Sequence, residues 1–207
     1  MPQSPDVSVH KKRIRDVAVA RRMAMPDDVR LASDQWIATH LDALVARLGA
    51  HRLAFCWPHR GEPDLRSWAA AWLSGDAGRI AALPVVVAPR HPMVFRHWTP
   101  GCEMVTDRYG IPHPAHGDPV RPELVLLPVN AFDRQGYRIG YGGGYFDRTL
   151  AVLEPAPLVA GIAYHDAEVA SALPQPHDVP MHWVVTDRGI ITTGGGRSGQ
   201  ANRQPAT

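Results

Sequence analysis

Six consecutive residues, Leu124-Val125-Leu126-Leu127-Pro128-Val129, constrain the fold of this chain most strongly. A continuous apolar run of this length, with no polar residue alternating into it, is typical of a strand buried on both faces in a parallel sheet. Segments at 52–57, 80–88, 93–98, 158–164 and 183–186 also read as strands. Helical spacing separates them. Residues 9–25 predict a basic amphipathic helix with Ile14, Val17, Ala18 and Met25 on one side. Pro26-Asp27-Asp28 opens a second helix, in which Val29, Ala32, Trp36, Ile37, Leu41, Leu44, Val45 and Leu48 follow helical spacing up to Gly49. Residues 64–73 predict a third, with Trp68, Ala69, Trp72 and Leu73 inward. Strands alternating with helices imply an α/β layered fold with a mainly parallel sheet. Ligands of such sheets bind beyond the carboxyl ends of the strands.

Size and composition fit one soluble enzyme domain. Of 207 residues, 1–193 are assigned to a single domain, and 194–207, with its glycine-rich tail composition, is expected to be disordered. Residues 99–122, rich in proline, glycine and histidine, read as a long surface excursion. A net charge of +2 is too small by itself to indicate a nucleic-acid binder. The two unclustered cysteines, Cys56 and Cys102, point to reduced thiols and a cytoplasmic setting. No apolar run approaches a membrane span, and residues 1–25 lack the apolar core of a signal peptide. The eleven histidines include no HExxH-type metal spacing. All but two of the 22 Lys and Arg residues are arginine, so lysine chemistry is confined to Lys11 and Lys12.

Downstream of the apolar run lies GYRIGYGGGYFDRTL, residues 136–150. Glycine-rich loops let backbone N–H groups converge on an anion, because no Cβ blocks the approach. Gly140, Gly142, Gly143 and Gly144 supply that loop, and a helix over roughly 144–153 would point its N-terminus at the same anion. Arg138 adds a planar fork suited to phosphate, and Asp147 a hard oxygen ligand of the kind Mg²⁺ prefers. The plainer reading is a tight loop with a helix cap. The chain has no Gly-Lys-Ser/Thr, and a dinucleotide fingerprint begun at Gly140 fails at Tyr145. Near the N-terminus, Lys11 and Arg15 lie four apart and share one side of a helix, so both can reach one anion; the commoner reading is a solvated face.

The loop resembles R-x-G-x-G-x-G-[YF]-[YF]-D, the signature of the 5-formyltetrahydrofolate cyclo-ligase (methenyltetrahydrofolate synthetase) family. Three other segments agree in order. Lys11 and Arg15 match an N-terminal K-x-x-[LI]-R element, and Arg60-Gly61-Glu62-Pro63-Asp64 is similar to a G-E-x-D/E turn. His177-Asp178-Val179-Pro180-Met181 resembles H-D-x-P-[LM]-D. The segment 91–98 is similar to P-L-x-F-R-x-W, with Phe95 and Trp98 read as core and Arg96 as a candidate for an anionic part of the substrate. The likeness spans residues 9 to 191 or thereabouts.

The resemblance implies a Rossmann-like three-layer α/β/α sandwich. It also implies ATP-dependent conversion of 5-formyltetrahydrofolate to 5,10-methenyltetrahydrofolate, with ADP and phosphate released. Carried over residue by residue, it places ATP on Lys11, Arg15, Arg138, Gly140, Tyr141, Gly142, Gly143, Gly144, Tyr145 and Phe146, with Lys11 and Arg138 catalytic. The reduced folate falls to Trp57, Glu62 and Tyr145, and Mg²⁺ to Asp147 and Asp178. Lys11, close to a terminus, is expected to be exposed. The expected partner is the folate alone, with no nucleic acid and no membrane, and the expected state a monomer or weak homodimer. Two departures, His182 where the pattern has an acid and Phe146 where tyrosine is common, motivate a second reading as a repurposed paralogue that binds folate or nucleotide without cyclising. The arginine bias and basic N-terminus motivate a third, less favoured reading as an RNA-associated protein.

Overall fold

The computed structural model describes residues 5–194. The chain opens with helices α1 (Pro5–Met23) and α2 (Asp27–Leu48), then strand β1 (Arg52–Ala54), helix α3 (Arg66–Ser74) and strands β2 (Ile80–Val85) and β3 (Val94–Trp98). Two short hairpins follow in turn, β4 (Met104–Thr106) with β5 (Pro112–Pro114), and β7 (Ala131–Phe132) with β8 (Arg138–Ile139); strand β6 (Leu124–Pro128) runs between them. Helix α4 (Tyr145–Leu150), strand β9 (Leu158–Ile162), and strands β10 (Trp183–Thr186) and β11 (Gly189–Thr192) complete the fold. Among the described residues, no helix is long and apolar enough to cross a membrane.

Seven strands form one sheet in the order β11-β10-β9-β6-β1-β2-β3. The five central strands are parallel, and only the two edges, β3 and β11, are antiparallel. The apolar run at 124–128 is one of the interior strands, as its composition requires. Side chains alternate across the sheet. Leu53, Ala81, Leu83, Leu124 and Leu126 point to one face, under Ile37, Leu41 and Leu44 of α2 and Trp68 and Trp72 of α3. Ala54, Ala82, Val125 and Leu127 point to the other, where Phe132, Leu150 and Met181 cover them. The three-layer α/β/α architecture is therefore present, with the second outer layer assembled from short α4, the β7–β8 hairpin and the returning segment before β10.

Strand β1 decides where a ligand can sit. The chain leaves it through α3 to β2 on one side, and later places β6 on its other side. Such a reversal leaves a crevice beyond the carboxyl ends of the two strands. The turns after β1 and β6 line that crevice, and α1 lies across it, packed against β7 and β8.

Several sequence expectations need correction. Val17 on α1 and Val29, Ala32 and Trp36 on α2 are exposed, although periodicity placed them inward; Trp36 stacks on His40 at the surface instead. The surface excursion over 99–122 carries a hairpin, β4 paired with β5, and Arg96 donates to the carbonyls of Pro114 and Ala115. Arg96 thus braces that hairpin rather than facing an anion. Phe95 and Trp98 are core, as read. The strands at 52–57 and 80–88 end earlier, at Ala54 and Val85, and the helix expected over 144–153 spans only Tyr145–Leu150. The predicted tail, apart from Gly194, lies outside the described residues.

A single buried carboxylate closes the β7–β8 hairpin. Asp133 accepts the backbone N–H groups of Gln135 and Tyr137 on Oδ1, and that of Ala172 on Oδ2. Asp133→Ala strands three donors at once, and is expected to cost about 3 kcal/mol in urea unfolding, with Asp133→Asn losing less because one oxygen remains. An unchanged midpoint for the alanine variant contradicts this role.

Candidate active site

Helix α1 buries charge as well as hydrocarbon. Lys11, Arg15, Ala18 and Arg22 fall on one stripe, and Lys11 and Arg22 are only 8% and 6% exposed, while Val9, Val17 and Met23 face solvent. Buried cations are tolerated only when paired. Lys11 Nζ lies 3.1 Å from Asp178 Oδ2, Arg15 Nε donates to the Gly140 carbonyl at 2.6 Å, and Arg22 donates to the Arg60 carbonyl at 2.8 Å and to the Tyr141 hydroxyl at 2.5 Å. Together these contacts reach three separate segments. The helix therefore acts as a cationic bar laid across the glycine loop, the Glu62 turn and the 175–181 segment. Lys11 is buried, not exposed as its place near a terminus suggested.

The glycine loop is fixed from below by a second arginine. Arg138 donates to the Val179 carbonyl at 2.7 Å and to Asp147 Oδ1 at 2.6 Å, and the same carboxylate oxygen accepts the Val179 N–H at 3.2 Å. Asp147 and Asp178 thus meet through neighbouring residues, although 31 positions separate them in sequence. In the loop above them, Gly142 has φ +88°, and a Cβ there would meet the Arg15 guanidinium at 3.1 Å; Gly144 has φ +63°. Side chains are excluded at Gly142 both by backbone conformation and by the arginine laid over it.

Glu62 sits in the turn after β1. Its carboxylate is 5% exposed, with Oε2 accepting the His59 N–H at 3.0 Å and Oε1 3.5 Å from the Arg22 guanidinium. Burial pushes its pKa up to about 7, and the facing Arg22 only partly opposes this. Burial likewise raises the Tyr141 phenol, helped by the nearby Glu62 charge, and lowers the His59 imidazole, helped by Arg60 and Arg22. Glu62 Oε1 makes no hydrogen bond, so this pair has capacity left for a ligand.

The other predicted residues fall into two groups. Lys11, Arg15, Arg138, the glycine loop, Tyr141, Asp147, Asp178 and Glu62 converge under α1. Trp57 lies apart from the loop, with the Arg66 guanidinium 4.9 Å over its ring. Tyr145 turns outward to Tyr109 of the β4–β5 connection, hydroxyl to hydroxyl at 3.0 Å, while Phe146 packs onto the second core face, where a phenol oxygen would gain nothing. His182 accepts the Val159 N–H on Nδ1 at 3.0 Å, at the start of β9 and hence at the end of the strand away from the crevice. The substitution that motivated the paralogue reading is in a structural position.

Arg22, Arg148 and Tyr109 were missed. The signal for Arg22 was present: it lies eleven residues beyond Lys11 and seven beyond Arg15, on the same helical stripe. Arg148, which donates to the Gly143 carbonyl at 2.6 Å and lies over the Tyr145 ring, is one turn from Gly144, and no sequence pattern marks it.

The arrangement suits a polyphosphate beside a neutral heterocycle. Four cations and a bare glycine backbone face one end, and a half-neutral carboxyl faces the other. Among the described residues no group of three His, Cys, Asp or Glu side chains could hold a metal ion alone. Asp147 and Asp178, linked through the Val179 N–H and each paired with a cation, supply the one or two protein carboxylates that Mg²⁺ commonly takes beside phosphate and water.

Comparison with known proteins shows the family of this chain. Residues 7–187 match the sequence model of the 5-formyltetrahydrofolate cyclo-ligase family. The 5-formyltetrahydrofolate cyclo-ligase of Escherichia coli K12 is 29% identical over 178 residues, covering 80% of this chain and 94% of that protein. Its counterpart in Mycolicibacterium smegmatis is 27% identical over 194 residues, covering 87% and 96%. The solution structure of Aquifex aeolicus 5,10-methenyltetrahydrofolate synthetase superposes with a TM-score of 0.76 at 24% identity, covering 88% of this chain and 92% of that one, and establishes the fold.

The elevated Glu62 pKa has a signed consequence. A carboxyl whose folded pKa is raised contributes stability that is present below its unfolded pKa and lost as pH rises through the folded value. Relative to wild type, Glu62→Gln is expected to gain up to roughly 3 kcal/mol between pH 4.5 and pH 7.5, read as a growing difference in urea midpoint. A difference that is flat with pH contradicts the assignment.

Proposed function

This chain belongs to the 5-formyltetrahydrofolate cyclo-ligase family, and on that premise we propose that it uses ATP to close 5-formyltetrahydrofolate to 5,10-methenyltetrahydrofolate. The observation that carries the reading is the cationic stripe of α1, which meets the glycine loop at one end and Glu62 at the other. Two ligands are thereby held face to face.

The chemistry explains this need. A formamide oxygen is a poor leaving group. When that oxygen attacks the γ-phosphorus of ATP, the bond to ADP breaks and the oxygen leaves later as inorganic phosphate. N10 of the same folate then attacks the formyl carbon and loses its proton as the ring closes. Closure within one bound molecule gains from proximity, which can contribute on the order of 7–11 kcal/mol. No protein nucleophile is required.

The chain's part is to position and to neutralise. Lys11, Arg15 and Arg138 offset the phosphate charge as it shifts towards ADP, and the amides from Gly140 to Tyr145 cradle the oxygens. Phe146 anchors that loop in the core. When bound, Mg²⁺ on Asp147 and Asp178 neutralises further phosphate charge. Glu62, backed by Arg22, orients the formyl-bearing end of the pterin, with Trp57 and Tyr145 as flanking aromatic surfaces. A reduced folate is the partner this reading assigns to the site, with a monomer or weak homodimer as the expected state.

Two variants test the assignment through ATP-dependent growth of methenyl-folate absorbance. Lys11→Met keeps the buried stem but removes the charge; it is expected to raise the KM for ATP about tenfold or more and to leave that for folate nearly unchanged. Equal changes in both would mean a loss of structure instead. Asp147→Asn is expected to lower kcat by about a hundredfold and to blunt the Mg²⁺ dependence. Wild-type kinetics in that variant would remove Asp147 from the metal site.

A further inference from the structure

Asn130 lies two residues beyond the end of β6, across the crevice from Glu62. It is 2% exposed, and its backbone N–H is satisfied by the Ile139 carbonyl. Its side chain is not satisfied: neither Oδ1 nor Nδ2 has a hydrogen-bond partner. An unpaired buried amide is costly, and buried polar groups in folded proteins are almost always bonded. Asn130 is among the residues lining a cavity of about 20 Å³, with Ala18 and Arg22 of α1, Pro63 of the Glu62 turn, and Tyr164 beyond β9. The cavity is large enough for one small polar group and far too small for a whole ligand.

We propose that Asn130 is a specificity-determining residue, whose carboxamide pairs with the cyclic amide edge of the substrate's pterin ring. This rests on the folate reading above. The choice of ligand group follows from the amide's chemistry. An anion would satisfy Nδ2 and leave Oδ1 repelled, and a cation would do the reverse. An adjacent C=O and N–H satisfies both atoms at once, whichever way the amide is turned. The Arg22 guanidinium beside the cavity does not compete, since Arg60, Tyr141 and Glu62 already occupy it. Seated there, the ring edge lies across the crevice from Glu62, at the reversal between β1 and β6. The small cavity is the tip of the folate site, roofed by α1, and the rest of the site opens as that helix yields.

The test compares wild type with Asn130→Leu, of similar size and without polar atoms, and with Asn130→Ser in case leucine does not fit. Three quantities are read: thermal stability, affinity for 5-formyltetrahydrofolate without ATP by titration calorimetry, and the two KM values. The expected result is a leucine variant at least as stable as wild type, since two stranded polar atoms are gone. Folate affinity should fall tenfold or more, with the KM for ATP within twofold. Unchanged folate affinity overturns the inference and means that the amide holds only a trapped water, with the cyclo-ligase reading intact. A loss of stability with both KM values moving together also overturns it, as a packing role. A wild-type protein that neither binds nor converts the folate removes the underlying reading and this inference with it.

Discussion

Everything in this site depends on a buried row of positive charge that the protein cannot satisfy locally. Lys11 and Arg22 are held under α1, and no acid on that helix pairs with either. Their partners come from the 175–181 segment, the Glu62 turn and the glycine loop. Buried ion pairs of this kind contribute little net stability, because desolvation offsets most of the Coulomb gain, whereas removing one partner is expensive. Their effect here is to specify position. These contacts hold the helix in its resting place, which roofs the crevice at the β1–β6 reversal.

The same constraint accounts for the chemistry at each end. Where α1 meets the glycine loop, cations outnumber acids and the backbone is bare, so phosphate charge can be held as it moves. Where it meets Glu62, burial makes a carboxyl that is close to neutral and faces a single guanidinium. The sheet contributes by aligning the carboxyl ends of β1, β6 and β9, and its apolar faces keep those strand ends fixed. One edge of the crevice is therefore set by the sheet, while the other is α1, a helix joined to the rest by side-chain contacts.

The sheet was legible in the sequence because its signals are strong and local. Leu124 to Pro128 could be little else than a buried strand, and Trp183 to Thr186 was placed to the residue. The glycine loop, Lys11, Arg15, Glu62, Asp147 and Asp178 were legible through motif spacing. The facing of α1 was legible only in part: Ile14 and Ala18 turn inward, but Lys11 and Arg22 are buried on the same side, which an apolar periodicity does not anticipate. Arg22 was lost to the same assumption. His182 misled for a related reason: a pattern position was read as a site position, while the fold places its ring on the Val159 amide at the far end of β9. Asn130 could not be read from sequence at all, because its meaning lies in the partners it lacks.

The most direct measurement is amide hydrogen exchange across α1, with and without a non-hydrolysable ATP analogue and Mg²⁺. If the cationic stripe closes over bound phosphate, the amides of residues 11 to 22 gain protection together with the glycine loop, and Lys11→Met loses the gain on α1 while the loop still responds. Protection confined to the glycine loop, with α1 exchanging as it does in the free protein, would contradict the account.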